Sequence, residues 1–505
     1  MKYFSLGLFF WGMAALAIYA VRPGAVLSRE ALETAARKSR LMIALVAAAV
    51  ILLCTLPMSL SPIWNGEGPA HINQFEVLAQ SILEGHIHLN YDDVDPRLQE
   101  MDNPYDTAMR DALGVSYRWD HAFYNGQYYM YFGVVPVFLL FLPFRIITGA
   151  SLTTYHATQI FTAFFILGIF ALFRLLSRIF FRRMTLSVYL SLSAAVSVMS
   201  VWYSVSTPAL YCTAISAGIC MEVWSIFFFI KAVWDGDGRR KSTCMGVLGS
   251  LFGAFAFGCR PTAALANILA IPLFVHYVKG KKFSLRLLGQ ILAVLAPYIV
   301  IGSLLMIYNY VRFDNPFEFG QSYQLTMVDQ SNYGNFFGRF DPIAVINGLL
   351  ENFIAYAPLE QSFPYFSFQS VFLNFPICFV SVFCLLQKDT LLAVRKNRLT
   401  GLICTLLFCP VLITVVQILE TPWLLERYRS DIYWLMGILA FISFGQFLEC
   451  RDSKSGRIWG FVISLLAFAA IFRSFLLWAV PWDHNFTMIF PEYLDKFEKV
   501  LRLGF

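Results

Sequence analysis

The chain carries about twelve apolar runs, each long enough to cross a bilayer as a helix. They lie near residues 4–21, 41–60, 154–174, 185–204, 211–231, 243–259, 262–278, 287–308, 368–387, 399–420, 431–449 and 458–479. A hydrocarbon core about 30 Å thick takes roughly 20 helical residues. These runs do not alternate and are too long for barrel strands, which excludes a transmembrane barrel. Composition agrees, since 58% of the 505 residues are hydrophobic and only 14% are charged. A soluble domain carries roughly a quarter charged residues. The expected fold is an all-α polytopic membrane protein with about twelve transmembrane helices.

The basic residues orient the spans. Of the 38 Lys and Arg, 24 fall in short loops at every second turn of the chain. Arg174, Arg178, Arg182 and Arg183 form one such group, and Lys279, Lys281, Lys282 and Arg286 another. By the positive-inside rule these loops are cytoplasmic, so the loops between them and both termini face outward. A net charge of +6 dispersed in this way is not a nucleic-acid footprint. The ten cysteines lie in or beside spans without a CxxC pair, as apolar filler does. The first run has the length of a signal peptide, but cleavage near Ala20 would expose a basic loop outside, so a retained span is expected.

The chain then divides into two N-terminal spans (1–60), a large outer loop (61–153), a bundle (154–310), a second outer loop (311–367), C-terminal spans (368–479) and an amphipathic tail (480–505). No repeat, low-complexity tract or soluble domain stands out. From Ser61 to Gly133 the first loop carries eleven Asp and Glu against three Arg and no Lys. A connection needs only a few residues, so this stretch reads as a working surface. Val134–Thr148 is apolar but short, interrupted by Pro136 and Pro143, and holds Arg145. Were it to cross, the basic loops after it would change sides. It is therefore expected to be a re-entrant or juxtamembrane helix beside a cavity.

Within the first loop, Asp92 and Asp93 lie in YDDVD, and Asp120 lies in YRWDHAFYNGQYYMYFG. A carboxylate among aromatic rings has a raised pKa and suits a general base. Tyr128 and Tyr129 read either as an interfacial belt or as a platform for sugar rings. Arg260 in FGCRPTA and Arg427–Tyr428–Arg429 in ERYRSD put guanidinium groups beside apolar segments, where each needs a partner or a role. Glu426 or Asp431 could neutralise Arg427 and Arg429; in the functional reading, the guanidinium forks grip a phosphate. Arg312 could add polar contacts from the second loop. Outer carboxylates, arginines, aromatics and a cavity at the bilayer edge suit transfer from a lipid phosphate to a polar acceptor. The chain has no P-loop, GxSxG or HExxH.

These elements resemble the bacterial GT-C-type membrane glycosyltransferases, the superfamily of protein O-mannosyltransferases and lipid A aminoarabinose transferases. The resemblance rests on Asn103-Pro104-Tyr105-Asp106, on Trp119-Asp120 through Tyr124-Asn125-Gly126 to Gly133 and Pro136, and on Gly258 to Pro261. It continues in the stretch from Asn309 to Leu325 and in Arg427-Tyr428 with Asp431. It covers about residues 60–450. It implies a GT-C-like fold whose large first extracytoplasmic loop bears the catalytic acids. One departure stands out. Where many such enzymes have an acidic pair at the loop entrance, this chain has His71-Ile72-Asn73-Gln74-Phe75-Glu76. The base must then be sought at Glu76, Asp92, Asp93 or Asp120, with Asp120 first.

The resemblance implies a glycosyltransferase of the bacterial plasma membrane with an extracytoplasmic site. Its donor would be a polyprenyl-phosphate-linked sugar and its acceptor a cell-surface glycan, lipid or protein. Asp120 and Asp92, with Asp93 beside it, are the expected catalytic acids. Arg260, Arg427, Tyr428, Arg312, Tyr128, Tyr129, Asn103 and Asp106 are the expected substrate contacts. A divalent cation held by two carboxylates is a candidate cofactor, with no ligand set fixed by spacing. The competing readings are a multi-span transporter or lipid-linked-sugar flippase, for which Glu222 is the one acid well inside a span, and a glycan-binding subunit without catalysis.

Overall fold

The computed structural model describes residues 2–29, 31–32, 36–60, 73–208, 210–235, 239–279, 281–331, 340–421, 424–480 and 491–503. Among these, eleven helices are long and apolar enough to cross a membrane, from Lys2–Arg29 to Ser453–Trp478. The run expected at 368–387 is the exception. Its helix Pro376–Leu386 meets Lys388–Lys396 at 81°. Pro376 opens that helix because a first-turn residue needs no donor. Lys388 and Asp389 then begin a polar amphipathic segment that turns away from the apolar core. At about 1.5 Å per residue, Pro376–Leu386 covers roughly 16 Å, half a bilayer core.

Two helices, Leu186–Ser206 and Glu426–Glu449, are wholly interior. Both are apolar on every side, as a helix without a lipid or water face must be. They approach closely because Gly437 leaves room for Val196, and Gly445 leaves room for the Phe181 ring from the turn before the first of them. Phe173 stacks on Phe441 with ring centroids 3.8 Å apart. Lys2–Arg29 and Leu285–Phe313 lie at the periphery and leave most of their surface exposed.

The bundle has two chemically distinct ends. Basic loops gather at one. There Arg178 pairs with Asp235, Arg183 donates to the carbonyls of Glu449 (3.2 Å) and Arg451 (2.6 Å), and Asn397 bonds Gln446 at 3.0 Å. The first loop, the second loop and the Glu426–Arg429 turn gather at the other.

The first loop folds around an apolar core of its own that includes Phe75, Leu98, Phe123, Met130 and Val137. Sequence reading did not give this small subdomain. Its centre is a hairpin of Ala122–Tyr124 and Gln127–Tyr129. Asn125 (φ 49°) and Gly126 (φ 79°) form the tight turn, the geometry that favours Asn-Gly in two-residue hairpins. Leu89 bridges one side of the hairpin and Gln324, from the second loop, the other. Val137–Thr148 is a short apolar helix. Its first turn is π-helical, and Ile147 is 82% exposed. At about 1.5 Å per residue this helix is too short to cross.

In the second loop, helix Pro342–Phe353 is capped by Asp341, whose carboxylate accepts from Ile343 N at 2.9 Å. The tail helix Pro491–Leu501 lies on the first span, where Trp11 Nε1 donates to Leu501 O at 2.9 Å. The loop entrance at 61–72, which includes His71 and Ile72, and the start of the tail at 481–490 lie outside the described residues.

Candidate functional site

The two loops and three helix ends converge on Asp120. Just before the hairpin, this residue adopts a left-handed backbone with φ 60°. Asp tolerates that conformation better than most side chains, at a cost of order 1 kcal/mol. Neighbouring strands hold it there. Asp120 N donates to Leu325 O at 2.9 Å, and Leu325 N donates back to His121 O at 2.9 Å. Gln74 Nε2 donates to Asp120 O at 2.8 Å. His121 is fixed as well, with Nδ1 2.8 Å from Trp119 O and Nε2 3.0 Å from the Tyr91 hydroxyl. The carboxyl turns inward, and the residue is 5% exposed. Its Oδ2 accepts a hydrogen bond from the Tyr211 hydroxyl.

Tyr211 stands in the first turn of helix Leu210–Trp234. Its ring carries the Arg427 guanidinium on one face, with Cζ 3.9 Å from the centroid. Phe132 packs edge-on at 5.6 Å. Tyr428 lies between Arg260 and Arg427, at 5.5 Å and 5.6 Å from the two guanidinium carbons. Arg260 occupies the break between two helices and grips Asp431, its Nε 3.0 and 2.9 Å from the two carboxylate oxygens. Arg260 Nη2 adds a second donor at 2.9 Å and Gln417 Nε2 a third at 3.0 Å. The Tyr131 phenol is pushed well above its usual range, chiefly by burial and then by the Asp120 carboxylate.

Two glycines dock the loop here. Gly133 lies against the backbone carbonyls of Gly258 and Cys259, so close that a Cβ at Gly133 would collide with them. The end of the first loop is thereby held on the turn that presents Arg260.

Of the residues expected from sequence, the structure brings Asp120, Arg260, Arg427 and Tyr428 together and leaves the others apart. Asp92 and Asp93 are exposed. Asp93 pairs with Arg118 at 2.5 Å, and this contact holds its carboxyl below the usual range. Glu76 caps the next span, accepting from Thr154 N at 2.8 Å, and burial raises its pKa. Arg312 is a strut: it donates to Met130 O at 2.6 Å and to Asn309 Oδ1 at 2.7 Å behind the hairpin. Tyr128 and Tyr129 are buried in the loop, where the Tyr128 hydroxyl accepts from Arg118 N at 3.1 Å. Asn103 forms a turn with Tyr105 N and bonds Asp329. Asp106 caps helix Thr107–Leu113. Glu426 pairs with Arg429 at 2.6 Å, whereas Asp431 pairs with Arg260 instead of with its neighbours in sequence.

Sequence reading missed Tyr211. An aromatic at the mouth of a span looks like any belt residue, and only its contact with Asp120 sets it apart. Glu222, inside its span, accepts from Asn267 Nδ2 at 2.8 Å, and Asn267 also binds the Gly253 and Ala264 carbonyls beside a helix break. Among the described residues, no three His, Cys, Asp or Glu side chains converge as a metal-binding group. Asp120 offers one carboxylate, bonded by the Tyr211 phenol.

No protein-family model and no curated protein matches the chain. Two crystal structures of the Archaeoglobus fulgidus oligosaccharyltransferase are similar to it, one in the apo form and one tethered to an acceptor peptide containing the NVT sequon. They share 13% and 12% identity over 85% and 86% of this chain, with TM-scores of 0.40 and 0.41. The chain spans 56% and 54% of their lengths, about half.

Proposed function

We propose that this protein is a GT-C-type membrane glycosyltransferase that moves a sugar from a polyprenyl-phosphate donor to an extracytoplasmic glycan, lipid or protein of the bacterial cell envelope. The observation that carries this reading is the convergence of Asp120, Tyr211 and Arg427, from three separate parts of the chain, at the end of the bundle opposite the basic loops. The side follows from those loops, which the positive-inside rule assigns to the cytoplasm. The acceptor hydroxyl attacks the anomeric carbon, the bond to the phosphate oxygen breaks, and polyprenyl phosphate leaves. Asp120 receives the hydroxyl proton, and Arg427 meets the charge that develops on the phosphate. A single displacement of this kind inverts the anomeric centre. Arg260, already neutralised by Asp431, shapes the site by holding Tyr428.

Deleting the gene tests the proposal. The strain should lose a sugar from its surface glycans and accumulate a polyprenyl-phosphate-linked sugar, and the wild-type gene should reverse both changes. Unchanged surface glycans and lipid-linked sugars would refute the assignment. Accumulation confined to the cytoplasmic leaflet would favour the flippase reading instead.

A further inference from the structure

At the basic end of the bundle, an open groove of about 470 Å³ lies between the end of the first span and the start of the last. It is lined by Pro23, Gly24, Arg29, Lys454, Arg457 and Ile458. Three of these six are cationic and none is acidic. Three arginines at this end are engaged within the protein. Arg178 pairs with Asp235, Arg183 binds two carbonyls, and Arg451 donates to Gln387. Among the described residues, Arg29, Lys454 and Arg457 enter no ion pair and donate no side-chain hydrogen bond. Asp452, the nearest acid along the last span, is spent on its own helix, where it accepts from Lys454 N and Ser455 N.

The groove also lies at a definite depth. Arg22 folds over Tyr19, its guanidinium carbon 3.3 Å from the ring centroid. Trp459 is partly exposed one residue beyond Ile458, which is 50% exposed. Aromatic rings beside cations mark the level of lipid headgroups. Ile458, which lines the groove, then leads its wall into the apolar surface below. A free anion would use only the cations, whereas a lipid would use both the cations and this apolar continuation.

We propose that the groove binds the phosphate of an anionic membrane phospholipid, with Arg29, Lys454 and Arg457 around the headgroup and an acyl chain along Ile458. The site is independent of the Asp120 cluster, lies at the opposite end of the bundle and takes no part in the chemistry proposed there. It joins the first span to the last, so an occupied groove ties two peripheral helices together.

The test is native mass spectrometry of the full-length protein in detergent, titrated with phosphatidylglycerol, phosphatidylcholine or glycerol 3-phosphate. The expected result is a retained phosphatidylglycerol adduct that phosphatidylcholine does not reproduce and glycerol 3-phosphate does not displace. The variant carrying Arg29→Ala, Lys454→Ala and Arg457→Ala should bind it about tenfold or more weakly. A control carrying Lys282→Ala, Lys388→Ala and Lys396→Ala removes equal charge from the same end and should bind as wild type does. Equal loss in both variants would mean diffuse surface charge and overturn the proposal. So would displacement by glycerol 3-phosphate, which marks a free-phosphate site, or equal retention of phosphatidylcholine. All three residues are exposed, so a single substitution, Arg457→Gln, should weaken binding without lowering the unfolding temperature in lipid-free detergent.

Discussion

Two parts of the first loop are rich in carboxylates and differ in almost everything else. Asp92, Asp93 and Asp95 crowd one strip of sequence, and two of them satisfy arginines at the surface: Asp93 binds Arg118 and Asp95 binds Arg97. Asp120 stands alone in sequence, yet it turns inward through a left-handed backbone and meets Tyr211 from a distant span. The dense strip helps hold the loop, whereas the isolated acid reaches the meeting point of three helix ends. Carboxylate density therefore does not mark where the loop meets the helix ends; backbone direction does.

The ion pairs of the two neighbourhoods make the same contrast in energy. Arg260–Asp431 is almost fully enclosed, with side chains 14% and 0% exposed, while Arg118–Asp93 is open, at 29% and 71%. Removing one member of a buried pair strands the other charge. Asp431→Ala should therefore destabilise the protein by about 3–5 kcal/mol, seen as a large drop in its unfolding temperature in detergent. A drop no larger than that of Asp93→Asn would break the contrast.

Next in size is Gly133→Ala. Its Cβ would meet the carbonyls of Gly258 and Cys259, so the loop must shift off the Arg260 turn at a cost of about 1–3 kcal/mol. The outcome is measurable as lower thermal stability together with increased proteolysis of the loop. Tyr211→Phe sharpens the comparison further, since it removes the hydroxyl bonded to Asp120 and keeps the ring beneath Arg427. We expect about a tenfold loss of transfer activity with little change in stability; unchanged activity would detach Tyr211 from the site.

The smallest effects concern pH. Contact with Arg118 depresses the folded pKa of Asp93. Its contribution to stability is therefore present above the unfolded value and lost as pH falls through the depressed one. Burial raises the folded pKa of Glu76, so its contribution has the opposite sign, present below the unfolded value and lost as pH rises through the raised one. Stability measured against pH in Glu76→Gln should lack that second slope, whereas Asp93→Asn should lack only the acid-side one.

Much of the fold was legible because a bilayer leaves few choices. Eleven of the expected spans appear as long apolar helices, and only the run at 368–387 breaks, at Pro376 and again before Lys388. The short helix after Pro136 was legible for the same reason. Less of the site could be read. Asp120, Arg260 and Arg427 stood out as charges set among apolar residues, a rule that needs no long-range information. The partners did not, because pairing depends on which helix ends meet. Asp431 is five residues from Glu426 in sequence, yet the two acids serve different arginines. Tyr128 and Tyr129 read as a belt or a platform because their sequence could not reveal that the loop buries them in its own core. The Asn-Gly turn at 125–126 carried a hairpin signal that its membrane setting obscured.

The most direct measurement complements a deletion strain with Asp120→Asn or Asp93→Asn and compares the surface glycans, with protein levels matched. The expected result is that Asp93→Asn restores the missing sugar as fully as wild type while Asp120→Asn restores none of it. Full restoration by Asp120→Asn, with failure of Asp93→Asn, would contradict the account and move the chemistry to the exposed strip.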